Sequence, residues 1–184
     1  MEIALSNGGV AIIDDADFPL VDGRTWRRVD VRSGLTSYAT TAIRVDGRKI
    51  TVQMHRLLTG AAQGTTVDHR DLDGLNNRRD NLRCCTTQQN ARNRRRHANN
   101  SVGFKGVARD RGGRFRAIIM VDGRQLSLGG FGNAIEAAVA YDRAAIRHFG
   151  DFARLNFGPD RDWLLPYPEQ SRASAARLTT RSRS

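Results

Sequence analysis

Short segments that alternate apolar with polar positions dominate the first sixty residues. Val10–Ile13, Thr25–Val31, Ser37–Val45 and Lys49–Gln53, each bounded by turn formers, read as strands. Val45-Asp46-Gly47-Arg48-Lys49 carries the Asp-Gly signal of a tight hairpin, so a small antiparallel β platform is expected over residues 1–53. Met54–Thr59 reads as one or two helical turns closed by Gly60. Thr65–His69 is a further short strand, and the stretch from Asp71 to Asn77 is dense in turn formers. Arg79–Leu82 and Thr87–Arg96 read as short helical pieces, with Thr86 or Thr87 as N-cap.

The pattern breaks between Ala98 and Gly103, where small polar residues predict a linker, and a second unit follows. Phe104–Arg109, Arg114–Val121 and Arg124–Leu128 read as three strands joined at Asp110-Arg111-Gly112-Gly113 and Asp122-Gly123. Asn133, with Glu136 three residues on, opens a helix in capping-box style. Ile135, Ala138, Val139, Ile146 and Phe149 place its apolar stripe at 3.6-residue spacing, and Gly150 ends it. Residues 158–184 lose periodicity after Trp163-Leu164-Leu165 and become rich in Ser, Ala and Arg, which predicts a mostly disordered tail. The whole reads as an α+β chain of two small units.

Composition narrows the function classes. At 184 residues the chain holds one medium domain or two small ones. No apolar run approaches the roughly 20 residues a bilayer span requires, so no membrane partner is expected. The N-terminus lacks the basic start and long apolar middle of a secretory signal, which points to a cytoplasmic protein. Cys84 and Cys85 are the two cysteines; being adjacent, they form neither a disulfide framework nor paired zinc knuckles, and buried or half-buried thiols are expected.

The net charge of +11 comes from 30 Lys and Arg against 19 Asp and Glu. Of the basic residues only Lys49 and Lys105 are lysine. Guanidinium offers a planar fork of donors that matches phosphate oxygens, so the charge favours phosphate recognition, although a GC-rich genome also inflates arginine. The surplus is uneven: residues 1–66 carry +1, residues 67–100 and 101–157 carry +4 each, and 158–184 carry +2. Within 92–96 it becomes the block Arg92-Asn93-Arg94-Arg95-Arg96, a run that ordinarily faces solvent.

The chemistry concentrates at Val67-Asp68-His69, with Asn81 twelve residues after the histidine and Asn90 twenty-one after it. Adjacent residues on a strand point to opposite faces, so Asp68 and His69 can serve a site from two sides. Asp68 and an amide oxygen of Asn90 would suit a hard cation such as Mg²⁺, and a metal-free imidazole titrates near neutrality and suits a general base. Taken alone, Asp-His pairs and asparagines in turns are also ordinary structural features.

The full order is more specific. Met54-His55-Arg56-Leu57-Leu58, the run from Val67-Asp68-His69 through Asp80-Asn81-Leu82-Arg83, and Cys85-Thr86-Thr87-Gln88-Gln89-Asn90 together resemble the HNH endonuclease family in its phage and intron-homing branch. The resemblance implies a ββα-metal nuclease core over 54–97 that holds one divalent ion, Mg²⁺ or Mn²⁺, at the scissile phosphate. By position, His69 is the implied general base, Asp68 and Asn90 the implied metal ligands, and Asn81 the residue that fixes the loop and orients the histidine. The implied products carry 5′-phosphate and 3′-hydroxyl ends. His55 matches a recurrent family position and is read as a packed or hydrogen-bonded structural histidine.

Residues 104–157, with Gly103 before them, resemble the apetala/ethylene-response-factor DNA-binding domain. The resemblance rests on Gly103-Phe104-Lys105-Gly106-Val107, Gly113 to Ile119, Leu128-Gly129-Gly130-Phe131, Glu136-Ala137-Ala138, Ala140-Tyr141-Asp142 and Leu155-Asn156-Phe157. It implies that a three-stranded sheet enters the major groove while the helix backs it. Lys105, Arg109, Arg111, Arg114, Arg116, Arg124 and Gln125 are then the implied DNA-facing set, with Arg94, Arg95 and Arg96 contributing from the basic block. Ala108, Ile118 and Ser127 depart from that pattern, so base preference does not carry over. Double-stranded DNA is the expected partner of a monomer that is bacterial or phage-encoded. A non-catalytic DNA-binding protein or transcription regulator with a decayed nuclease module remains the alternative. An RNA nuclease is disfavoured because the deep, narrow major groove of A-form RNA does not admit such a sheet.

Overall fold

The computed structural model describes residues 1–31, 36–95 and 100–158. Arg96, the start of the expected linker and all but the first residue of the expected tail lie outside the described residues. Within them the chain is a mixture of small antiparallel sheets and few helices.

The first unit opens with a hairpin of β1 (Glu2–Ala4) and β2 (Val10–Ile12), then a 3-10 turn and the single-turn α1 (Phe18–Val21). β3 (Arg27–Asp30), β4 (Ser37–Val45) and β5 (Arg48–Gln53) form an antiparallel sheet in that order. Asp46 and Gly47 both take positive φ, 49° and 75°, the backbone that a two-residue hairpin requires. α2 (Met54–Thr59) follows and stops at Gly60, whose φ of 61° lets the chain reverse without a Cβ clash. Ala11, Ile13, Val21, Trp26 and Ala39 from the platform share one core with Met54 and Leu58 of α2 and with Leu82. Trp26 satisfies its indole N–H on the Val21 carbonyl at 3.0 Å. The platform and the segment after residue 53 therefore do not bury separate cores.

β6 (Thr66–His69) and β7 (Leu82–Cys85) pair antiparallel, and α3 (Thr87–Arg92) crosses them. The reading of Arg79–Leu82 as helical is corrected: residues 78–81 make one turn and Leu82 begins a strand. Local turn propensity gives way there to the ladder with β6, which sets Asp68 opposite Arg83 and His69 opposite Leu82. Thr86 caps α3 in a reciprocal box with Gln89, and the helix ends at Arg92 rather than Arg96. Cys84 is exposed, against expectation, and Cys85 is buried.

The second unit packs α4 (Ala134–Phe149) on a sheet of β8 (Val107–Arg109), β9 (Phe115–Val121) and β10 (Arg124–Phe131), in the order β10-β9-β8. Asn133 caps α4 by accepting from the Glu136 N–H at 2.8 Å. Ile135 was expected in the buried stripe and is 60% exposed instead. The buried face is built from Ala137, Ala138, Ala144 and Ala145, small side chains that bring the helix close to Ala117 and Ile119 of the sheet, together with Tyr141 and Phe149. Gly106 is required by that closeness: a Cβ there would lie 1.9 Å from the Tyr141 ring, at a φ of +73°. Fully buried Asp142 accepts hydrogen bonds from Asn156 and from the Phe157 N–H, which folds residues 156–157 back onto the helix. Burial raises its carboxyl above the usual range, and those donors oppose the rise.

The two units interlock. Gln88 and Arg92 of α3 bond Asp122, Arg92 also lies 4.7 Å over the Phe149 ring, and Lys105 donates to the Arg92 and Arg94 carbonyls at 2.6 and 2.8 Å. No helix among the described residues is long and apolar enough to cross a membrane.

Candidate active site

The site is built around the end of β6. Asp68 and His69 are both buried, and as neighbours on a strand they look to opposite sides. Asp68 faces β7 and α3. Arg83 donates to its Oδ2 from Nε at 2.8 Å and Nη2 at 2.6 Å, and the Asn93 amide donates to both oxygens at 3.0 and 3.1 Å. The same amide nitrogen reaches the carbonyls of His69 and Arg70, so Asn93, itself 2% exposed, ties the end of β6 to the end of α3.

His69 faces α2 and β4. Its ring sits 5.0 Å from that of His55 in an edge contact and 5.8 Å from Tyr38, while Tyr38 and His55 are 5.1 Å apart. Burial lowers the imidazole below its ordinary value, opposed by a hydrogen bond to Asn77 Oδ1 and by Asp71, Asp68 and Asp73. His55 is pushed down to about 3 by burial, with His69 and Arg56 adding to the effect. Its Nδ1 is buried without a hydrogen-bond partner, so of the two readings for His55, packing is the one its contacts support. Arg56, next to it, clamps the chain entering β6 by donating to the carbonyls of Thr65, Ala61 and Ala62.

The loop between β6 and β7 is held from within and from the platform. Asn81 donates to Asp71 Oδ1 at 3.0 Å and to the Asn76 carbonyl at 2.7 Å, and it accepts from the Asp71 N–H. It secures the loop, whereas the side chain that meets the His69 ring is Asn77, at 3.4 Å. Ile12 exchanges backbone hydrogen bonds with Leu75 and Asn77, and Arg79 grips buried Asp17 with Nε and Nη2. Gly74 lies so close to β4 that a Cβ would meet the Ser37 carbonyl at 2.3 Å.

Asn90 is half-buried on α3, three residues before Asn93 and thus on the same helical face. The amide that touches Asp68 is that of Asn93. Sequence spacing pointed to Asn90 and passed over Asn93, which had been counted within the basic block. Asn77 was likewise absorbed among the turn formers. Its full burial, invisible in the sequence, is what distinguishes it.

Both Asp68 oxygens are taken up by N–H donors, Oδ2 by Arg83 and both by Asn93 Nδ2, and no group of three or more His, Cys, Asp or Glu that could hold a metal occurs among the described residues. A cleft of about 610 Å³ opens beside the site, lined by Arg70, Asn81, Arg83 and Asn93 on one side and by Arg154 and Asn156 of the second unit on the other.

In the second unit, register sorts the expected DNA-facing residues. Arg116 lies across from Ala108 and Gly130 on the face away from α4, exposed, and Arg114 precedes it by two residues. Arg109 pairs with Phe115 on the opposite face, its guanidinium 5.2 Å over that ring, and Arg124 shares its register position with Val121. Arg94, Arg95, Arg111 and Gln125 are exposed. Lys105 is a correction: its ammonium lies on the carbonyls at the end of α3, where burial and Arg154 bring it down to about 8, so it joins the units rather than facing outward.

Comparison with known proteins gives a family match and a partial match to a curated protein. A family model described as HNH endonuclease matches residues 54–92, which span α2, β6, β7 and α3. An AP2/ERF and B3 domain-containing transcription factor of Arabidopsis thaliana is 42% identical over 72 residues, covering 38% of this chain and 20% of that protein. The chain thus spans about a fifth of the length of that relative. No solved structure matches.

Proposed function

We propose that this protein is a metal-dependent DNA endonuclease that hydrolyses phosphodiester bonds in duplex DNA, brought to its substrate by the sheet of residues 104–157. The observation that carries the reading is the buried Asp68-His69 pair, facing two sides of one strand end, inside the segment that matches HNH endonucleases. A histidine whose burial keeps it neutral at physiological pH is ready to take a proton from water. Asp68 and the amide oxygen of Asn90 would hold the divalent ion in place of the hydrogen bonds that Arg83 and Asn93 Nδ2 give the Asp68 carboxylate, and the ion would supply positive charge to the phosphate and the departing 3′ oxygen.

The chain's own groups account for the remaining work. Arg70 and Arg154 line the cleft beside the site and can hold neighbouring phosphates. His69 is kept in place by its edge contact with the His55 ring and its tilted contact with Tyr38. On the second unit, the exposed Arg114 and Arg116 would meet guanine edges or phosphates. The similarity to a plant transcription factor supports DNA binding by this chain.

The test is to sequence the ends released from a random-site duplex DNA library in Mg²⁺ or Mn²⁺, with matched duplex RNA alongside. The reading expects 5′-phosphate DNA ends clustered at a preferred site, lost on chelation, with RNA intact. Binding without released ends, unaffected by Asp68→Ala, would favour the regulator instead.

A further inference from the structure

The loop between β6 and β7 places one fully buried amide against the imidazole of His69, and its own contacts decide which way that amide points. Asn77 Nδ2 donates to the Leu75 carbonyl at 3.0 Å, so Oδ1 is the atom turned toward His69 Nε2, at 3.4 Å. An amide oxygen only accepts. A favourable contact therefore needs the hydrogen on Nε2, and a bare Nε2 lone pair would face a second lone pair across a dry contact. In a neutral ring one nitrogen carries the proton and the other the lone pair, and the partner of one fixes the role of the other.

The other ring nitrogen is placed to use this. The buried side-chain nitrogens and oxygens without a partner among the described residues are His55 Nδ1 and Asn76 Oδ1; His69 Nδ1 is not one of them, and no hydrogen bond engages it. The backbone on either side keeps Asn77 in register: its N–H donates to the Ile12 carbonyl at 2.7 Å, which joins the loop to β2. Tyr38 and His55 close the ring's sides, so a 180° flip of the imidazole would have to displace both.

We infer that Asn77 is a positioning residue whose amide oxygen holds His69 as the tautomer protonated on Nε2, leaving Nδ1 as the basic nitrogen. The role that family spacing gave to Asn81 is thereby divided: Asn81 secures the loop and Asn77 orients the histidine. That Nδ1 then takes a proton from water rests on the nuclease reading above; the tautomer itself does not.

Long-range ¹H–¹⁵N correlation spectra of the wild-type protein, labelled at histidine and recorded at neutral pH, read the tautomer directly. His69 is assigned by the loss of its signals in His69→Gln. The expected result is a protonated Nε2 and an unprotonated Nδ1; a ring protonated on Nδ1 overturns the inference whether or not the protein cuts DNA. Two variants test the cause. Asn77→Leu, which fills the site without an acceptor, should yield a mixture of tautomers and a fall of tenfold or more in cleavage rate with KM for DNA changed less than twofold. Asn77→Asp retains an acceptor and should keep the Nε2–H form, although it loses the bond to Leu75. Should both variants keep the wild-type tautomer, Asn77 does not set it and the inference fails. Should the tautomer be as stated while no form of the protein cuts DNA, the nuclease reading fails and the positioning stands.

Discussion

Arg83 and Asp68 face each other across the β6–β7 ladder, and the guanidinium closes on one carboxylate oxygen while its Cζ lies 4.1 Å from the centre of the Phe152 ring. Both side chains are nearly inaccessible, at 9% and 3% exposure. Arg83 also donates from Nη1 to the Asp151 carbonyl, so one arginine joins the candidate metal carboxylate to the second unit. Removing it strands a buried charge, which costs far more than an exposed pair contributes. Arg83→Met should lower stability by about 3–5 kcal/mol, read by urea denaturation at neutral pH. Arg83→Lys should recover part of this, since it keeps the charge but not the fork.

Asn93 and Asn90 can be separated in the same way. Asn93→Ala deletes the amide that bonds Asp68, His69 and Arg70, and should cost about 2–3 kcal/mol, because two of those bonds go to a charged group. Asn90→Ala, on the half-buried part of α3, should stay within about 1 kcal/mol of wild type. If Asn90 is the ligand that family spacing implies, its variant loses Mn²⁺ affinity in calorimetry while keeping its melting temperature.

Gly106 bears on the second unit alone. An alanine there would drive its methyl into Tyr141 and the Ile118 carbonyl at a left-handed φ. Backbone strain and overpacking add, so Gly106→Ala should destabilise the second unit by at least about 3 kcal/mol, seen as loss of Tyr141 near-ultraviolet dichroism at a lower denaturant concentration.

Lys105 gives a dependence on pH with a definite sign. Burial and Arg154 hold its ammonium down to about 8 against 10.5 for the ordinary side chain. Between those values the unfolded chain keeps a proton that the folded protein has released, so this site adds stability as pH rises through the window and opposes folding below it. The melting temperature of wild type relative to Lys105→Met should therefore increase from about pH 7 to about pH 9.5. A constant difference would mean that the ammonium is not held as described.

Much of the fold was legible because period and punctuation agree locally. Asp46-Gly47 specified its hairpin, Gly60 stopped α2, and Asn133 with Glu136 opened α4. What escaped was decided by distant partners. Arg79–Leu82 reads as helical until β6 pairs with Leu82–Cys85, and Ile135 fits a helical stripe until the close approach at alanines 137, 138, 144 and 145 sets the buried face elsewhere. At the site, Asp68, His69 and Asn81 stood out through fixed spacing. Asn77, Arg83 and Asn93 did not, because each is an ordinary residue made consequential by burial against a named partner.

The central claim is that Asp68 and His69 cut DNA. Supercoiled plasmid incubated with the purified protein in Mn²⁺ tests it most directly, with His69→Ala compared at equal folded concentration. Wild type should convert plasmid to nicked or linear form, while the variant binds the same DNA and leaves it supercoiled. Equal cleavage by both proteins, or none by wild type across plasmids of varied sequence, would contradict the claim.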